Sequence, residues 1–115
     1  MGNVIAVENG YYTLINVFRV KPEDQRRMYD VILEATDVIT KFPGYVSANV
    51  HLGHDGRHVV NYAQWRSKED FDAMRAHPDV QAHFQECRRL ADIEPVFCEV
   101  AYTHSATDLV DGESA

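Results

Sequence analysis

Asn61 and Trp65 stand four residues apart in the run His58-Val-Val-Asn-Tyr-Ala-Gln-Trp65. On a strand the side-chain period of two puts both on one face. There the amide can donate hydrogens to an oxygen of a ligand, and the indole offers a flat wall and an N–H. The pair could equally be a core amide bonded to backbone and a core filler. Asn16, between Leu14 and Phe18 on an apolar side, poses the same question. A buried unpaired amide costs roughly 1 to 3 kcal/mol, so it needs a structural partner or a ligand. His83, beside Val80 and Phe84, is of the right type for a general base near neutral pH, or is a half-exposed helix residue. His51, His54 and His58 cluster, but a metal site there would need His104 or a partner's ligand; they are read as surface or interface histidines.

The elements that must position these groups follow from periodicity. YYTLINVFRV, residues 11 to 20, is rich in β-branched and aromatic residues and reads as a first strand. Pro22, Glu23 and Asp24 suit a helix start. Met28, Val31, Ile32, Ala35, Val38, Ile39 and Phe42 then recur on one helical face until Pro43-Gly44. A second strand spans Tyr45 to Leu52 and a third His58 to Trp65, joined at Asp55-Gly56, which predicts a two-residue type I′ turn. That turn sets Val50 opposite Asn61, Ala48 opposite Ala63 and Val46 opposite Trp65, all facing the helices. Ser67 to Asp70 resembles a capping box opening a second helix, kinked or split at His77-Pro78, and Glu94 to His104 reads as a fourth strand.

The chain of 115 residues has room for one core. Eleven basic against eighteen acidic residues, net -7, argue against nucleic-acid binding. No window approaches the roughly 18 unbroken apolar residues of a membrane span. Without signal-peptide or lipidation features at the N-terminus, cytoplasmic is the expected location. Cys87 and Cys98 lack CxxC spacing and are expected to be small core residues.

The order β-α-β-β-α-β predicts an α+β, ferredoxin-like split βαβ fold, a four-stranded antiparallel sheet with both helices on one face. The domain is expected over residues 11–104, with an extension at 1–10 and a flexible tail at 105–115. The uncovered sheet face would carry Tyr45, Asn49, His51, Val60 and Tyr62, too aromatic to leave in water. A homodimer packed through that open face is expected.

The segment His54-Asp-Gly-Arg-His-Val-Val-Asn-Tyr-Ala-Gln-Trp65, the following Arg-Ser-Lys-Glu-Asp-Phe71 and the stretch PGYVSANVH at 43–51 closely resemble the antibiotic biosynthesis monooxygenase family. Within it the similarity is to the small cofactor-free anthrone oxygenases of actinorhodin type. The resemblance implies a dimeric α+β barrel that oxidises an anthrone, hydroquinone or polycyclic phenol to a quinone with O2 as co-substrate, without metal or flavin. It makes Asn61 and Trp65 the pocket pair, with His83 as the candidate base and Asn16 beside the substrate. Where such enzymes place tyrosines and an arginine, this sequence has Val50, Phe71 and Phe84, so the implied substrate pocket is more apolar.

Two other readings stand beside it. In a haem-degrading enzyme, His83 would ligate iron with Asn16 near the distal oxygen, although Met74 stands where that branch places a second tryptophan. A non-catalytic dimer binding a small hydrophobic ligand would fit the apolar replacements.

Overall fold

The computed structural model describes residues 3–106. Alternating β-branched and aromatic residues form strand β1 (Tyr12–Arg19), and Pro22 opens a 3-10 turn that leads into helix α1 (Gln25–Ile39). Strands β2 (Tyr45–Leu52) and β3 (His58–Trp65), helices α2 (Lys68–Arg75) and α3 (Pro78–Leu90) and strand β4 (Asp92–Cys98) complete the order. The strands pair antiparallel in the order β2-β3-β1-β4. This is the expected ferredoxin-like α+β arrangement. The apolar stripe of α1 buries Met28, Val31, Ile32 and Ala35. Met28, Val31 and Ile32 join Phe18, Val20, Val59 and Cys87 in one core cluster; Leu14, Trp65, Phe71, Met74 and Val80 make a second.

The second helical segment is split, as its proline requires. Ser67 Oγ accepts from the Asp70 N–H at 3.1 Å to start α2. His77 Nδ1 accepts from the Asp79 N–H at 3.1 Å to start α3, with Pro78 in the first turn.

The structure corrects four expectations. The hairpin is not closed by a two-residue type I′ turn: Gly53 N–H donates to His58 O at 2.8 Å, leaving four residues in the loop. Only Gly56 takes a positive φ there, 75°, because Asp55 holds a local turn in which its carboxylate accepts from the Arg57 N–H at 2.8 Å. A loop longer by two residues about the same centre keeps parity, so Val50 still faces Asn61 and Ala48 still faces Ala63.

Second, the ladder shifts between Tyr45 and Ser47, so Tyr45 and not Val46 stands opposite Trp65. The extra residue of this β-bulge reverses the alternation at the start of β2. Tyr45 therefore leaves the open face where the sequence placed it and turns toward the helices. Gly44 sets up this entry with φ 85°, and an added Cβ there would run into the Asp70 carboxylate.

Third, β4 covers Asp92–Cys98, not Glu94 to His104. Its ladder partner supplies the reason: β1 begins at Tyr12, and the last β4 pair is Thr13 with Cys98. Fourth, Cys98 is only half-buried, unlike Cys87. Of the expected C-terminal tail, residues 107–115 lie outside the described residues. In the N-terminal extension, Asn3 Nδ2 donates to Asn49 Oδ1 at 2.6 Å, on the face away from the helices.

Candidate active site

Between helices and sheet lies a cavity of about 430 Å³ lined by members of both core clusters. That volume falls in the range of small-molecule sites, roughly 300 to 1,000 Å³. Its floor is the helix-facing side of β3 and β1. The register sets Asn61 directly opposite Asn16, and both line the space. Trp65, 2% exposed, is walled by Tyr45 at 5.7 Å and Phe71 at 6.0 Å between ring centroids, both edge-on. Phe71 continues to Phe97 at 5.7 Å, and Phe97 stacks on Tyr12 at 5.8 Å. These rings make a flat-sided, apolar enclosure at one end.

The two amides are the polar exception. Asn16 Oδ1 and Asn61 Oδ1 are buried, and neither has a hydrogen-bond partner among the described residues. Each such orphan costs roughly 1 to 3 kcal/mol in a closed interior. An amide carries both an acceptor and two donors, so a ligand bearing adjacent hydroxyl and keto oxygens could satisfy the pair.

Of the residues singled out from the sequence, Asn16, Asn61, Trp65, Phe71 and Phe84 come together on this lining. Val50 and His83 do not line it: Val50 packs against the core cluster around Phe18 and Val59, and His83 is half-buried on α3. The lining adds groups that sequence reasoning missed. Tyr45 arrives through the bulge, while Arg75, Gln81 and Arg88 come from the ends and inner face of α2 and α3. The spacing 81, 84, 88 is a helical stripe and was the available signal for Gln81 and Arg88. Gln81 Nε2 donates to Arg75 O, joining α3 to the end of α2 at this rim.

No carboxylate or histidine lines the cavity among the described residues. Burial raises the Tyr45 phenol above its ordinary range and pushes the Cys87 thiol up to about 11. Both groups are therefore protonated at neutral pH. His51, His54 and His58 lie outside this lining; His58 Nδ1 sits 2.7 Å from Asp55 Oδ2. Among the described residues no three side chains of metal-ligating type come together. No helix there is long and apolar enough to cross a membrane.

Comparison with known proteins gives a consistent set of likenesses. The family model of the antibiotic biosynthesis monooxygenases matches residues 11–86. Tetracenomycin-F1 monooxygenase of Streptomyces glaucescens is 52% identical over 97 residues, 84% of this chain and 87% of that protein. Among solved structures, ActVA-Orf6 monooxygenase of Streptomyces coelicolor, in complex with nanaomycin D, superposes with a TM-score of 0.77. It is 24% identical and covers 85% of this chain and 94% of its own. SnoaB of Streptomyces nogalater, a cofactor-independent oxygenase, gives 0.73 at 23% identity, covering 82% and 96%. At such identities the two structures bear on the fold alone.

Proposed function

The chain belongs to the antibiotic biosynthesis monooxygenase family, and from that premise we propose that it converts a polycyclic anthrone-type phenol to the quinone with O2 and no cofactor. The observation that carries the proposal is the facing pair Asn16 and Asn61, unpartnered on the floor of an aromatic-walled cavity beside Trp65. A relative named for tetracenomycin F1 and a neighbour crystallised with nanaomycin D support a ligand of that kind. The description of SnoaB as cofactor-independent supports a reaction in which the substrate itself supplies the electrons.

The steps balance as follows. Loss of a proton from the anthrone methylene gives a delocalised oxyanion, and hydrogen bonds from Asn61 and Asn16 stabilise it and lower the cost of ionisation. With no carboxylate or histidine on the described lining, the proton leaves to water. One electron passes from the anion to O2, and the two radicals combine into a peroxide at the same carbon. Loss of the second hydrogen and cleavage of the O–O bond leave the ketone oxygen and release water. Trp65 contributes the flat wall and an N–H for the oxygen adduct. The apolar walls hold the ring system in place and exclude water from the radical pair. Phe71 and Phe84 bind through ring contact. Val50 and His83 stand behind the lining and have no direct part in this scheme.

The haem-degrading alternative would use His83 as iron ligand, and that side chain lies off the cavity lining. We also assign the open face to a homodimer contact: Asn49, Tyr62, Ile15 and Val96 form one row across it, with Val96 45% exposed.

Oxygen uptake by metal-free protein given 1,8-dihydroxy-9-anthrone tests the reaction. Wild type is expected to exceed the spontaneous rate and Trp65→Phe to lose roughly tenfold, the scale of one lost hydrogen bond to a developing charge. Ligand binding without oxygen uptake would instead make the protein a non-catalytic binder.

A further inference from the structure

Among the described residues, two cations at the cavity rim have no ion-pair partner. The helices hold six basic residues: Arg26 and Arg27 on α1, Lys68 and Arg75 on α2, Arg88 and Arg89 on α3. Four of them have carboxylate partners: Arg26 with Asp30 at 3.6 Å, Arg27 with Glu86 at 3.7 Å, Lys68 with Asp72 at 2.6 Å and Arg89 with Glu86 at 2.5 Å. Among the described residues Arg75 and Arg88 have none, and these two are the ones that line the cavity. In a chain where acids outnumber bases 18 to 11, two guanidiniums left unpaired on the lining of one acid-free cavity form a local positive field.

We propose that Arg75 and Arg88 select substrates bearing an ionised carboxylate, held at the rim while the aromatic nucleus lies against Trp65 and the two amides. This rests on the polycyclic-phenol reading above and adds to it the charge of the substrate. A carboxylate is the fitting anion because the planar guanidinium fork matches its two oxygens, whereas the reacting phenolate is already served by Asn61 and Asn16. Both arginines are exposed, so their charge is retained in water at little cost until the ligand arrives. The guanidinium of Arg75 also lies 5.5 Å over the Phe71 ring, which aims it along the aromatic wall.

The test compares two quinones that cannot be turned over: 1,8-dihydroxyanthraquinone and 4,5-dihydroxyanthraquinone-2-carboxylate. Trp65 is the single tryptophan of the chain, so quenching of its emission reports occupancy of this cavity directly. The carboxylate is expected to bind wild type about tenfold tighter at low salt, the lower range for a charge-assisted contact at an exposed rim, and salt should shrink the difference. In Arg75→Gln/Arg88→Gln the preference should vanish while the neutral quinone binds as before. Equal affinities in wild type, or a preference that survives the double substitution, would overturn the selection of carboxylates and leave the polycyclic reading intact. Binding of neither quinone would remove both. Neutral-quinone binding by the double variant also certifies its fold, and Arg75→Lys/Arg88→Lys should restore part of the preference.

Discussion

On the helix side of the sheet, Asn61 and Asn16 stand next to one another across β3 and β1. On the other side, Ser47, Gln64 and Thr13 make a second polar row across β2, β3 and β1, buried to 8%, 1% and 1% exposure. Both rows contain side-chain atoms with no hydrogen-bond partner among the described residues. Burial of an unpaired polar group therefore does not by itself mark a catalytic site. What separates the rows is their surroundings. The inner amides open onto an aromatic-walled space for a small molecule. The outer row lies on the face that carries exposed Val96, with Asn3, Val4, Asn9 and Tyr11 beside Ser47. Under the proposed dimer, the inner row is completed by a ligand and the outer one by protein.

The largest expected effect tests that division directly. Asn61→Ala should lower the anthrone oxidation rate by roughly 100-fold, the scale of a lost oxyanion donor, without lowering the melting temperature. Gln64→Ala, three residues along β3 and on the other face, should leave the rate unchanged. Equal losses from the two would erase the distinction. A smaller but separate effect concerns the outer face alone: Ile15→Asp puts a charge at the centre of the proposed contact and should raise the dimer dissociation constant by at least about tenfold. Light scattering after size exclusion reads it, and a wild type that is monomeric throughout would break the assignment of that face.

The smallest effect sharpens the contrast through the thiol on the cavity side. Burial holds Cys87 protonated up to about 11 against an ordinary 9.0, so the unfolded chain ionises first. Stability from this group is fully present below pH 9 and is lost as pH rises toward 11, by about 1.4 kcal/mol for each unit in that window. Comparing wild type with Cys87→Ala by denaturant titration at pH 8 and pH 10 should show a steeper decline in wild type. Identical declines would mean that water reaches the cavity-side thiol.

Much of this architecture was readable because its signals are periodic. Alternation located β1, β2 and β3, and the 3-4 spacing from Met28 to Ile39 located α1 with its buried face. The pairing of Val50 with Asn61 survived a wrong turn type because the loop changed by an even number. Three features were not readable, for different reasons. Tyr45 and Val46 are both apolar, so hydrophobic alternation cannot say which one faces inward. The apolar and aromatic residues after Cys98 look like strand, but a strand needs a hydrogen-bonding neighbour, and β1 extends only to Tyr12, one residue past the Thr13–Cys98 pair. Arg75 and Arg88 look like ordinary helix-surface cations until the fold sets them on the cavity lining, with no ion-pair partner among the described residues.

The bulge at the start of β2 also has an evolutionary reading. A hairpin loop can grow or shrink by two residues without disturbing which side chains line the cavity, whereas one residue gained or lost in a strand exchanges inside for outside beyond that point. At Val46 the exchange is confined to the strand's first position, because the pairing from Ser47 onward is intact. Deleting this one residue would remove the bulge, and regular alternation from Ser47 would still set the tyrosine opposite Trp65, with the amide pair where it is. Loss of that single codon would thus leave every wall of the cavity in place, whereas loss of one further along the strand would turn them over.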